Sequence, residues 1–265
     1  MSYQKLQWVV QKNLTQAASY QAIYLACQDI GIDFFGFILK PFAAEAPEYP
    51  KEKQPIFYGS TSLMNQVHPN PGLFFHPTHF SMENYLQHYA DKMLNHGASL
   101  TNFAQLIKED YPADKLLFIR PDADSKSFSG TVMSFSEIRS WVQKLGVENS
   151  AQSVTTRTPI IVGEAFHIKE EWRLWIVNKK VVAASQYAFE HQLVKKEGCP
   201  KEVIDFAEQV CLSYVPEAIF VMDICRCGED YYIVECGCMN SAGFYAADIG
   251  AIVTAVSDFI ANASS

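Results

Sequence analysis

The stretch AIFVMDICRCGEDYYIVECGCMN, residues 218–240, constrains the fold more than any other segment, because two strand-length apolar runs flank a glycine-containing turn and each carries one acid. That pattern predicts a β-hairpin. With Gly228-Glu229-Asp230 as a three-residue loop, Cys227 pairs with Tyr231 and Asp223 falls directly opposite Glu235. Opposed side chains stand about 4.5–5.5 Å apart at Cβ, so two carboxylates there repel unless positive charge lies between them. Apolar neighbours argue that the hairpin is buried. A hard divalent cation such as Mg²⁺, which takes carboxylate, water and phosphate oxygens, meets the requirement. The plainer alternative is a solvent-exposed pair that tolerates the repulsion.

The same register tests a zinc reading of the two CxC pairs, Cys225/Cys227 and Cys236/Cys238. Cys225 and Cys227 share the face of Asp223, whereas Cys236 and Cys238 have the opposite parity from Glu235, so the four thiols do not converge on one tetrahedral site. Buried free thiols are the better expectation. Seven cysteines follow a start, MSYQKLQWVVQKNL, without the run of about seven apolar residues that marks an export signal, so reduced thiols and a cytoplasmic location are expected.

Along the chain, apolar runs of strand length alternate with amphipathic segments, the pattern of an α/β or α+β protein. A strand is predicted at 6–11 and a helix at 15–30, with Thr15 as N-cap and Gly31 as stop. Strands follow at 33–39 and 56–59, separated by a proline-rich loop over 40–55. Ser81 should cap a helix running to about Asn95, with Gly97 as its stop, and Thr101 should cap another. The strand 115–120 ends at Pro121 and gives way to a polar turn, DADSKSFSG; a helix at 136–145 closes at Gly146, and 149–158 is a loop. PIIVG at 159–163 leads into a hairpin with arms 171–177 and 180–186 turning at Asn178-Lys179. Alternation puts Trp172, Leu174, Ile176, Val181 and Ala183 on its buried face and Glu171 with Arg173 on the other. Helices at 200–214 and 244–261 enclose the 219–236 hairpin.

The net charge of −8 argues against a general nucleic-acid binder, and no stretch approaches the roughly 18 apolar residues of a membrane span.

The order of a strand ending in Arg-Pro with a polar turn after it, then PIIVGEAFHIKEEWRLW, then the Asp223/Glu235 hairpin resembles the ATP-grasp superfamily from about residue 80 onward. FIRPDADSKSFSG, EWR and NSAGFY are similar to signatures of a bacterial and phage clade in which FIRP replaces the usual strand-end lysine-proline. The resemblance implies an α+β fold of two lobes enclosing a nucleotide cleft, preceded by a small α/β lobe: 1–78, then 79–158, then 159–265. It implies ATP and Mg²⁺ as cofactors and ligation of a small-molecule or peptide carboxylate to an amine. Glu164 and Glu171, seven apart, match the pair that brackets the adenosine, with backbone around Phe166 and His167 on the adenine. Arg120 takes the place of the phosphate-binding lysine, Lys126 lies in the turn that closes over the phosphates, and Lys92 matches an earlier phosphate lysine after a helical Asp-Lys. Arg173 is expected at phosphate or acceptor, unless it simply pairs with Glu171. Asp223, Glu235 and Asn240 are the implied metal ligands, although Gly237 stands where many relatives carry the asparagine. A noncatalytic nucleotide-binding module and a phosphotransferase are the rival expectations.

Overall fold

The computed structural model describes residues 3–40, 47–123, 128–145 and 154–263. Three sheets organise them. The first is parallel, in the order β2-β1-β3, from β1 (Leu6–Gln11), β2 (Asp33–Phe37) and β3 (Gln54–Tyr58). Between β1 and β2 runs α1 (Ala17–Ile30), which starts behind Gln16 rather than Thr15 and stops where Gly31 takes a left-handed φ of 70°. The short α2 (Thr61–Val67), capped by the Ser60 hydroxyl on the Leu63 N–H, was not expected, since seven residues give too little periodicity to read.

Ser81 does cap α3 (Met82–Tyr89), but the helix ends well before Gly97 because Ala90 turns to a left-handed φ of 48°. A four-stranded antiparallel sheet follows, in the order β4-β7-β5-β6, from β4 (Ser99–Asn102), β5 (Leu116–Pro121), β6 (Thr131–Ser134) and β7 (Pro159–Glu164). It is covered by α4 (Phe103–Leu106), capped by Asn102 rather than Thr101, and α5 (Phe135–Leu145). Gly146, expected to close α5, lies outside the described residues. This arrangement moves two expected boundaries. β7 belongs to the four-stranded sheet, so that lobe runs past 158 to Glu164. α3 belongs to the next unit, where Tyr85 donates to the Cys236 carbonyl at 3.0 Å.

The third sheet has the order β10-β9-β8-β11-β12, built from β8 (Glu170–Val177), β9 (Lys180–Phe189), β10 (Gln192–Glu197), β11 (Ile219–Cys227) and β12 (Asp230–Cys238). α6 (Lys201–Ser213) precedes β11 and α7 (Ile249–Ala263) closes the chain. One face of the sheet buries Trp172, Leu174 and Ile176 with α3 and α6. Trp175, Val177, Ile219 and Val221 on the other face share a core with Trp8, Val10 and Ile56 of the first sheet and with Ile252, Val253 and Val256 of α7. A sheet covered on both faces shows near-continuous apolar runs, which is why simple alternation assigned Ala183 to the wrong face; it pairs with Trp175 and packs on the α7 side.

Asn240 fastens the first sheet to the third. It is fully buried, with Nδ2 donating to the Phe57 and Gly72 carbonyls at 2.6 and 3.2 Å and Oδ1 accepting from the Phe74 N–H at 2.9 Å and the Cys238 thiol at 3.2 Å. The residue expected as a third metal ligand therefore has both halves of its carboxamide committed elsewhere. Asn240→Leu should lower the unfolding free energy by about 2–4 kcal/mol, because it strands several backbone groups away from water. Urea denaturation checks this; an unchanged midpoint would contradict it.

Candidate functional site

The site grows from the β11–β12 hairpin. Its turn holds two residues, Gly228 and Glu229, with Gly228 at φ 62° and Cys227 paired with Asp230. The expected three-residue loop is thus one residue too long. A bulge around Val234 then shifts the register by one, so Asp223 still pairs with Glu235. On its other side Asp223 pairs with Arg173 of β8, which makes one row of Arg173, Asp223 and Glu235 across three strands.

Positive charge does reach the two carboxylates, and arginine supplies it. Arg173 Nε and Nη2 donate to the two oxygens of Asp223 at 2.8 and 2.7 Å, a bidentate contact with Asp223 only 3% exposed. Arg120, at the end of β5, reaches across from the other sheet and places Nη2 2.7 Å from Glu235 Oε2. Arg173 therefore pairs with Asp223 and not with Glu171. Burial works against the Arg173 charge, but the Asp223 carboxylate more than compensates and its pKa lies above the ordinary value. Burial pushes the Asp223 carboxyl upward, with Arg173 opposing that rise.

Around this row the cleft has a volume of about 1050 Å³. Glu164 at the end of β7, together with Phe166 and His167 on the linker from β7 to β8, lines one side, and Glu171 and Arg173 of β8 line it as well. His167 Nε2 is 3.1 Å from the Glu190 carboxylate. Tyr187 and Tyr245 also line the cleft and were not singled out from sequence; their rings stack at 5.0 Å, with the Arg173 guanidinium 5.9 and 5.2 Å from their centroids. The Tyr187 hydroxyl donates to Glu171 at 2.8 Å. Tyr187 was hidden because it sits at a bulge in the β8–β9 pairing, whereas Tyr245 closes the NSAGFY run and could have been weighed with it.

Two expected residues are not with the rest. Lys92 is exposed and stands 3.2 Å from Asp91, and neither it nor Asn240 lines the cleft. Lys126 lies outside the described residues. Cys236 and Cys238 lie in the core with α3 and α6, all seven cysteines are unbridged, and the described residues hold no cluster of three or more metal-ligating side chains. A smaller cavity of about 570 Å³ beside α5 is lined by Trp141, Glu137 and Lys144 but contains neither arginine–carboxylate pair.

Residues 40–256 match a protein family described as an ATP-grasp domain, the third family of its clade. No curated protein matched the sequence. Among solved structures, the chain is similar to a RimK domain ATP-grasp protein from Sphaerobacter thermophilus, with TM-score 0.59 and 10% identity over 96% of this chain and 99% of that one. It is similar to the ATP-grasp ligase PsnB, solved with a minimal precursor, Mg and ADP, with TM-score 0.57 and 12% identity over 98% and 99%. It is also similar to the macrocyclase MdnC from Microcystis aeruginosa, bound with the precursor peptide MdnA, with TM-score 0.57 and 12% identity over 97% and 99%.

Burial, opposed by the Tyr187 hydrogen bond, raises the Glu171 carboxyl above its ordinary pKa. A raised carboxyl favours the folded state while protonated, and that contribution is lost as pH rises through the folded value. Glu171→Gln should therefore be more stable than the parent at neutral pH, with the gap closing as pH falls below the ordinary glutamate value. Melting curves from pH 4 to 8 check this; a gap that widens toward acid would contradict it.

Proposed function

This chain belongs to the ATP-grasp superfamily, and on that premise we propose that it is an ATP- and Mg²⁺-dependent ligase that activates a carboxylate and joins it to an amine. The observation that carries the reading is the meeting of Arg120 from one sheet with the Arg173–Asp223–Glu235 row of another inside a single large cleft.

Charge supports it. Two guanidiniums stand against Glu164, Glu171, Asp223 and Glu235, an excess of two negative charges among the described lining residues. A nucleoside triphosphate adds more, so it enters this cleft with cations or not at all. The paired carboxylates of Asp223 and Glu235 would hold Mg²⁺, which would neutralise phosphate charge there. Arg120, released from Glu235, has a planar fork suited to phosphate oxygens, and Lys126 would join it. Arg173 holds Asp223 in place. Glu164 and the backbone near Phe166 and His167 would take the adenine, and Glu171 the ribose. Lys92 and Asn240 drop out of the reading.

The chemistry is two displacements. An oxygen of the substrate carboxylate attacks the γ-phosphorus, the bond to the ADP oxygen breaks, and an acylphosphate forms. The amine nitrogen then attacks the acyl carbon, phosphate leaves, and the amine loses one proton. The cleft supplies positioning and charge stabilisation rather than a covalent group. Because PsnB and MdnC were solved with precursor peptides, a peptide carboxylate is the first class to test. No helix of the described residues is long and apolar enough to cross a membrane.

ATP with Mg²⁺ should raise the melting temperature by mass action, and Arg120→Ala should weaken ATP binding by about tenfold or more. Glu235→Gln should keep the fold and abolish ADP release. A ligase yields ADP, phosphate and a new amide, a phosphotransferase yields a stable phosphorylated product, and a binding module yields neither. No thermal response to millimolar ATP would overturn nucleotide binding, and wild-type turnover in Glu235→Gln would overturn the metal assignment.

A further inference from the structure

Asn95 lines the cleft but has no part in this chemistry. Asn95 lies on the turn between α3 and β4, on a short strap stitched to both sheets of the cleft. On one side the Leu94 N–H donates to the Ile233 carbonyl of β12 at 3.0 Å and Met93 bridges the same residue. On the other, the strap runs so close to β7 that a Cβ added to Gly163 would stand 3.2 Å from Asn95 Oδ1 and 3.1 Å from the Ala98 Cβ. Gly163 and Glu164 end β7, and the linker residues Ala165 and Phe166 follow directly. Asn95 is thus held at the end of the cleft where that linker begins.

Its carboxamide is in an unusual state. Asn95 is 5% exposed and lines the cleft, yet its Oδ1 is buried without a hydrogen-bond partner among the described residues. A buried carbonyl left unpaired is costly, and such groups in native proteins mark a strained or functional position. The amide needs only rotation about its terminal torsion to present Oδ1 or Nδ2 to the cleft.

We propose that Asn95 reads the base in this cleft beside those linker contacts, accepting from the adenine 6-amino group through Oδ1 and donating to adenine N7 through Nδ2. The inference rests on the nucleotide-binding reading above. A carboxamide matches that edge of adenine, one donor beside one acceptor, with two bonds. Guanine presents two acceptors there, O6 and N7, and leaves Oδ1 facing another oxygen. The adenine edge bearing N1 stays available to the linker backbone at 165–166.

The test is calorimetric titration of wild type, Asn95→Ala and Asn95→Asp with ATP, GTP and 7-deaza-ATP, each with Mg²⁺. Wild type should prefer ATP over both analogues by roughly tenfold, the discrimination of a good bidentate pair. Asn95→Ala should reduce the preference over 7-deaza-ATP to about threefold or less and lower the preference over GTP to what the linker contacts alone give, while melting no lower than wild type, since it removes an unpaired carbonyl. Asn95→Asp keeps an acceptor and loses the donor, so it should retain the preference over GTP and lose the preference over 7-deaza-ATP. If wild type binds ATP and Asn95→Ala keeps the wild-type ratios, this inference fails alone. If wild type binds no nucleotide, the functional reading fails and takes the inference with it.

Discussion

Two carboxylates that face one another in a buried hairpin can both stay charged only where positive charge is brought to them, and the rest of the cleft is arranged around that requirement. Asp223 is satisfied within its own sheet, because β8 sets Arg173 directly beside it and both guanidinium bonds are made there. Glu235 is satisfied from outside, by Arg120 of the four-stranded sheet. The first pair is buried and forked; breaking it would strand a charge away from water, at a cost of roughly 3–5 kcal/mol. The second bridges two sheets, with Glu235 about a third exposed, and is the one that can open. That asymmetry separates the two arginines. Arg173 keeps a carboxylate where it is, whereas Arg120 can exchange one anionic partner for another.

The facing acids were legible in the sequence because the apolar runs on either side of the turn left only a narrow choice of register, yet the route to them was not. A turn read one residue too long and an unseen bulge at Val234 cancelled, and Asp223 met Glu235 all the same. Bulges leave no mark in an alternation pattern that is already near-continuous, as it is on a sheet packed on both faces. The same cause hid the face of Ala183. Arg120 was legible as a strand-end cation before proline, but its contact with Glu235 is a pairing between residues 115 apart in sequence that no local rule reports.

Asn240 and Lys92 show the opposite failure. Each has the right residue type at an approximate spacing, and tertiary packing uses it for something else: one holds the N-terminal sheet in place, the other sits on the surface beside Asp91. Spacing cannot reveal that the loop around Gly72 and Phe74 needs a carboxamide, because that need exists only once β3 and the hairpin have come together. The boundary between lobes moved for a related reason. β7 lies next to β8 in sequence but hydrogen-bonds to β4 and β5, so the linker 165–169 spans the two sheets and the cleft opens beside it.

The central claim is that the opening of Arg120 from Glu235 makes room for nucleotide phosphate and metal at one place. The direct measurement is a crystal structure with Mg²⁺ and a non-hydrolysable ATP analogue. It should show a metal held by Asp223 and Glu235, phosphates on Arg120, and the 2.7 Å contact between Arg120 and Glu235 broken. A nucleotide bound with that contact intact, or phosphates lying away from both arginines, would contradict it.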